Sequence, residues 1–358
     1  MGLRVGFDAT SAVRQGGGIG RYTRELLRAL AAADTASDYR LFFASRSLPH
    51  PLPPLPSNFH VTPLPLDDIW LVRVWHRARL PLPVNWLTGP IDLFHSPDFT
   101  LPPVRRGTRT LLTVVPRSVA RADHVLADSQ ATRADLVELY RTPAEKISVL
   151  YSGVHESFQP VTDLAAVRAR YSLGDAPFVL AVGTLQPRKN YVRLIQAFAA
   201  ISNLQPRTSN LHLVIAGGKG WRYDAIFAEV EKLGLRDRVM FPGFVADADL
   251  PALYSAARVL AYPSIYEGFG LPMLEAMACG TPVVTSTASC MPEVAGDAAL
   301  LVPPTDVDAL AAALDRALTD EALRADLIAR GRARARQFSW AKSAQQLLGI
   351  YHAVCAAS

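Results

Sequence analysis

Two carboxylates and two cations have the types and spacing to hold a charged ligand. Glu267 and Glu275 stand eight positions apart across the turn E-G-F-G-L-P, and Arg188 and Lys189 are adjacent in G-T-L-Q-P-R-K-N. The glutamate spacing puts both carboxylates near the positive end of a helix opening at about Pro272, where free N–H groups also favour anions such as phosphate. The plainer alternative is that Glu275 complements the helix dipole and Glu267 is a loop charge. Arg188 and Lys189 precede a helix whose dipole disfavours positive charge; an anionic ligand at this strand end would resolve that conflict, the plainer alternative being a solvated loop pair. The chemistry this suggests is neutralisation of a diphosphate.

The elements around these residues read as strand, turn and helix in repetition. Ala256–Tyr262 is an apolar strand ending at Pro263; Gly268 and Gly270 let the backbone approach a bound group, and Met273–Ala278 are good helix formers closed by Gly280. Phe178–Gly183 is a strand running into the Arg188–Lys189 turn. His212–Ala216 ends in the glycine turn Gly217-Gly218-Lys219-Gly220, and Val239–Phe241 leads into Pro242-Gly243-Phe244-Val245. In the N-terminal half, Arg4–Asp8 reads as a strand, followed by Q-G-G-G-I-G and a helix from about Arg21. Backbone N–H groups at that helix start make a phosphate cradle or a mobile turn. His95 ends the short strand Ile91–Phe94, where a polar side chain faces a ligand crevice or is a hydrogen-bonded structural histidine. Alternating strands and helices predict two α/β units with parallel sheets.

Composition narrows the class. The 358 residues are 50% hydrophobic and 19% charged, with a net charge of +5, a globular balance with room for two domains. Cys279, Cys290 and Cys355 are scattered, so neither a disulfide framework nor a zinc site is expected. No apolar run approaches the ~20 residues that span a bilayer. The chain opens directly on a strand, so the expected localisation is cytoplasmic. Ile69–Leu80 places Trp70, Leu71, Val74 and Trp75 among arginines, a face for core packing or for the membrane surface. No zinc-finger spacing or concentrated basic helix points to nucleic acid.

The run Y-P-S-I-Y-E-G-F-G-L-P-M-L-E-A-M-A-C-G-T-P-V-V resembles the E-x7-E signature of retaining glycosyltransferases of family 4 (group 1), which have the GT-B fold. G-G-I-G-R-Y-T-R-E-L-L is similar to that family's first loop, and the likeness extends to the terminal helix. It implies two Rossmann-like domains facing a cleft: 1–154, joined by the C-terminal helix 341–358, on the acceptor side, and 155–340 binding a nucleotide sugar. Gly17, Gly18 and Gly20 would lie over the donor phosphates, with Gly183 and Gly217 nearby. Gly243, Phe244 and Val245 would meet the base. Glu267, with Gly268, Phe269, Gly270 and Leu271, would hold the sugar, and Glu275 the ribose. Catalysis would rest on Glu267, Arg188 and Lys189, without metal or cofactor.

V-P-R-S-V, F-H-S-P-D-F-T-L-P-P and G-T-L-Q-P-R-K-N look most like bacterial mannosyltransferases of polysaccharide assembly. The expected donor is GDP-mannose, the acceptor a glycan or lipid-linked hydroxyl, and a further expected contact is the inner membrane face. Two positions depart from the family. Thr184 stands where an arginine is common, so Arg188 would partly substitute. Val114 also runs straight into Val115-Pro116-Arg117-Ser118, where the family has a His-Asp pair and a long loop. Either a segment is missing there or the protein lacks a usual catalytic residue; a strand abutting its helix without a connection favours the first. The rivals are an epimerase or hydrolase on the same scaffold, and a nucleotide-sugar-binding protein without turnover.

Overall fold

A computed structural model describes residues 2–67, 73, 75, 82–98, 101–113, 119–202 and 210–357. The Val114–Ser118 junction and all of the Ile69–Leu80 face except positions 73 and 75 lie outside the described residues. The chain divides into two units, 1–153 with 339–358, and 154–338.

The first unit is built on seven parallel strands: β1 (Arg4–Asp8), β2 (Asp38–Ala44), β3 (Phe59–Leu64), β4 (Leu93–Ser96), β5 (Arg109–Thr113), β6 (His124–Ala127) and β7 (Ile147–Val149), in the order β3-β2-β1-β4-β5-β6-β7. Because side chains alternate across a strand, neighbouring residues feed opposite faces. Leu111 and Leu126 pack on one side with Val5 and Phe7, while Leu112 and Val125 pack on the other with Phe42 and Phe94. Both faces being covered explains the near-continuous apolar strands. Pro63 is tolerated because β3 is an edge strand.

After β1 the chain forms two helices, α1 (Thr10–Arg14) and α2 (Gly18–Ala33). α3 is the turn Asn85–Thr88, and α4 (Gln130–Tyr140) starts at Ser129, whose hydroxyl accepts from Thr132 N–H at 3.1 Å. Ser129 is thus the cap that its residue type and position suggest.

The second unit begins with α5 (Ala165–Arg170) and carries β8 (Phe178–Val182), α6 (Tyr191–Ser202), β9 (His212–Ala216), α7 (Asp224–Lys232), β10 (Val239–Gly243), α8 (Leu250–Ala256), β11 (Val259–Tyr262), α9 (Leu271–Ala278), β12 (Val283–Ser286), α10 (Met291–Ala295), β13 (Leu300–Val302), α11 (Val307–Thr319) and α12 (Glu321–Ala335). Its six strands are parallel in the order β10-β9-β8-β11-β12-β13. The closing helix α13 (Trp340–Ala356) belongs to the first unit, where Trp340 meets Tyr22 of α2 edge-on at 5.6 Å. Two parallel α/β sheets of this kind are the GT-B fold.

Candidate functional site

In the second unit the strand order reverses between β8 and β11, and ligands of open α/β sheets bind at the carboxyl ends of such strands. The structure brings Arg188, Lys189 and Glu267 together there. After β8 the chain turns through Gly183, then closes a 3₁₀ turn over Pro187–Lys189 that ends at Asn190 with a left-handed backbone. A Cβ on Gly183 would stand 2.8 Å from Lys189 Cε, so glycine there lets the lysine lie across the strand end. A Cβ on Gly217 would meet the Gly183 carbonyl oxygen at 2.1 Å, so the exits of β8 and β9 are in backbone contact. Asn190 Nδ2 donates to the carbonyls of Pro263 at 3.0 Å and Pro304 at 2.6 Å. Ile265 N–H donates to the Arg188 carbonyl at 2.8 Å, fixing the cationic turn against the exit of β11.

Glu267 is 6% exposed and sits between both cations. Arg188 Nη1 donates to its Oε2 at 2.5 Å and to the Tyr266 carbonyl at 3.0 Å. Lys189 Nζ lies 2.7 Å from Oε1. The ammonium also donates to Tyr262 Oη at 2.8 Å and lies 4.6 Å from the Tyr262 ring centre. Burial pushes the Glu267 carboxyl up, but Lys189 and then Arg188 outweigh it and hold the pKa below its ordinary value. Burial lowers the Lys189 ammonium, and Glu267 opposes that shift. The cations that sequence reasoning found in conflict with a helix dipole therefore meet an anion from the same unit. The site is a half-open cation pair pinned by one carboxylate.

The backbone of Glu267 is also held. Its N–H donates to Ser289 Oγ at 3.3 Å, and its carbonyl accepts from Ser289 Oγ at 2.7 Å and Cys290 Sγ at 3.3 Å. Ser289, Asn190 and Tyr262 are contributors that pattern reading missed. Tyr262 was visible only as a strand residue, and Ser289 arrives from the loop after β12 with no local signal.

The remaining candidates are distributed. Gly270 caps α9 with a φ of 90°, which favours glycine, and Leu271 opens that helix. Gly268 lies in the turn between Glu267 and Phe269. Phe269 is buried edge-on against Phe338, so its side chain packs while its backbone remains in the turn. Glu275 is buried in α9 and accepts from Tyr254 Oη of α8 at 2.8 Å. Gly243 ends β10, Val245 is buried, and Phe244 is 58% exposed. Trp221, beyond the β9 glycines, is 54% exposed and donates Nε1–H to Gln186 Oε1 at 3.0 Å.

In the first unit, a Cβ on Gly17 or Gly18 would meet nothing within 4 Å. A Cβ on Gly20 would fall 1.9 Å from the Gln15 carbonyl oxygen. Gly20 is therefore a packing glycine, and the open stretch is Gly17–Gly18. His95 requires a correction as a cleft residue. It is 0% exposed; Nδ1 pairs with Tyr351 Oη of α13 at 2.7 Å and Nε2 with Thr113 Oγ1 at 3.1 Å. Burial lowers its pKa to about 3, so it is a neutral core histidine, the structural alternative its position left open. Among the described residues no group of three or more His, Cys, Asp or Glu side chains could hold a metal, and no helix is long and apolar enough to cross a membrane.

The parallel sheets place the charged cluster at a ligand-binding switch point, and comparison with known proteins gives the class. Residues 166–334 match the family model for glycosyl transferases group 1, and residues 91–158 match that for glycosyltransferase family 4. Over 369 aligned positions the chain is 32% identical to the O-antigen chain mannosyltransferase B of Escherichia coli, covering 93% of this chain and 95% of that one. The chain belongs to glycosyltransferase family 4 and is a glycosyltransferase enzyme. That alignment is longer than the 358-residue chain, so the relative carries residues without a counterpart here. A D-inositol 3-phosphate glycosyltransferase of Kineococcus radiotolerans is 38% identical over 250 residues, 65% of this chain and 58% of that one. Among solved structures, a sucrose-phosphate synthase from Thermosynechococcus elongatus matches with a TM-score of 0.77 at 26% identity, covering 99% of this chain and 100% of that one. Anabaena HepE in complex with UDP and glucose matches with a TM-score of 0.76 at 19% identity, covering 98% and 100%, a likeness of fold.

Proposed function

We propose that this chain transfers mannose from GDP-mannose to a hydroxyl of a glycan or lipid-linked acceptor, keeping the anomeric configuration. The observation that carries this reading is the Arg188–Lys189–Glu267 cluster at the carboxyl ends of β8 and β11. In the proposed reaction the bond between the sugar C1 and the diphosphate oxygen breaks. The acceptor oxygen bonds to C1 on the same face, and its proton passes to the departing diphosphate. Arg188 and Lys189 neutralise charge growing on that leaving group, a preorganised role that calls for no cofactor. Glu267 and the backbone of Gly268–Gly270 hold the sugar, and the turns at Gly183 and Gly217 lie beside the phosphates. Gly243, Phe244 and Val245 meet the base, and Gly17 and Gly18 offer open backbone to the donor. Tyr254 fixes the Glu275 carboxylate, which this reading assigns to the ribose hydroxyls.

The choice of mannose is supported by the Escherichia coli mannosyltransferase, which matches nearly the whole chain. The net charge of +5 suits peripheral contact with an anionic membrane face. The Val114–Ser118 junction motivates a second reading, in which the protein binds a nucleotide sugar without turning it over. Incubating the protein with GDP-mannose, UDP-glucose or UDP-galactose and a mannose-terminated oligosaccharide separates the two. Transfer from GDP-mannose with an α-linked product supports the proposal. A nucleotide-induced thermal shift without product from any donor supports the second reading, and release of free sugar alone would favour a hydrolase.

A further inference from the structure

The first unit holds a carboxylate that none of the roles above uses. We propose that Asp128 receives a hydroxyl of the acceptor, making it the acceptor-positioning residue of the first unit; this rests on the reading of the chain as a transferase to hydroxyl groups. β6 ends at Ala127, so Asp128 stands at the carboxyl edge of the sheet, the edge where parallel α/β sheets bind ligands. Val125 and Ala127 point into one core and Leu126 into the other, which it shares with α2 and α13. Strand alternation therefore directs Asp128 toward the α2 side. Tyr22 of α2 is buried on that side, edge-on to Trp340 of α13 at 5.6 Å.

Asp128 is half-buried, and among the described residues no donor or cation is paired with its carboxylate. Burial alone lifts its pKa to about 6. Other aspartates of this unit are engaged: Asp92 holds Arg4, Asp34 accepts from Tyr39, and Asp123 accepts from Thr110. A partly buried carboxylate without a partner costs stability, and such costs are retained where a ligand needs the group. The chemistry also selects the ligand. A carboxylate with no cation beside it repels a diphosphate but accepts strongly from neutral hydroxyls, which a sugar supplies. Asp128 therefore fits the acceptor and not the donor phosphates.

The test uses Asp128→Asn, which keeps the shape and removes the charge, with Asp128→Ser as a second variant. Transfer from GDP-mannose to a mannose-terminated oligosaccharide is followed at varied acceptor and varied donor. The acceptor KM should rise about tenfold or more, the loss expected for one charge-assisted hydrogen bond. The donor KM and the thermal shift given by GDP should stay unchanged, and Tm should stay level or rise. An unchanged acceptor KM in both variants would overturn the proposal. So would a fall in Tm or loss of folding, because the carboxylate would then be structural. If instead the wild type shows neither transfer nor a GDP shift, the failure lies with the functional reading beneath it.

Discussion

Replacing Glu267 with glutamine removes one charge from a buried cluster and leaves two cations facing each other. Lys189 is as buried as Glu267, and its carboxylate partner is the group that opposes the burial-driven fall of its pKa. Breaking a buried ion pair by removing one partner costs about 3–5 kcal/mol. The Arg188 pair adds little, because that side chain is 40% exposed and solvent screens it. Taking about 3 kcal/mol for the Lys189 side, a unit of this size loses roughly 6–12 °C in Tm. A nucleoside diphosphate would bring the missing negative charge back to the two cations. GDP should therefore raise the Tm of Glu267→Gln by more than it raises that of wild type, while sugar transfer falls by about a hundredfold or more. Differential scanning fluorimetry with and without GDP reads both effects. A variant as stable as wild type, or one that GDP stabilises less than wild type, would refute the argument that the carboxylate and a diphosphate compete for Arg188 and Lys189.

The same cluster sets a pH dependence. The folded pKa of Glu267 lies below the ordinary 4.5, so its stabilisation is present above that value and lost as pH falls through the folded pKa. Acid unfolding followed by circular dichroism should show a shallower acid limb in Glu267→Gln than in wild type. In the first unit, Gly20→Ala should lower Tm by several degrees because its Cβ would collide with the Gln15 carbonyl, whereas Gly17→Ala should leave Tm nearly unchanged. Tyr351→Phe strips the partner from His95 Nδ1 and should cost about 1–3 kcal/mol in urea unfolding. The pH profile of transfer should not move in that variant, since His95 is already neutral throughout the working range.

Much of this was readable from pattern. Apolar strands ending at glycine or proline locate β8, β9 and β11, because a strand buried on both faces must be apolar throughout. Arg188, Lys189 and Glu267 were readable as charged residues beside such ends. Their pairing was not, because the link between residues 188 and 267 depends on β8 and β11 lying side by side, a long-range contact with no local signature. The helix-dipole argument asked for an outside anion only because that strand order was hidden. His95 shows the same limit. Its partners come from Thr113 and from Tyr351 at the far end of the chain, so burial and satisfaction appear only once α13 is packed. Asn190 and Ser289 have left-handed backbones set by tertiary contacts, and neither residue type announces that alone.

The measurement that bears most directly on the central claim is calorimetric titration of GDP into wild type and Lys189→Met. Methionine keeps the stem that lies across Gly183 and removes the ammonium. GDP should bind wild type, and its affinity for the variant should be lower by about tenfold or more, the worth of one charge-assisted contact to phosphate. Equal affinity in the two proteins, or no binding of GDP, UDP or ADP to wild type, would contradict the placement of the diphosphate at the ends of β8 and β11.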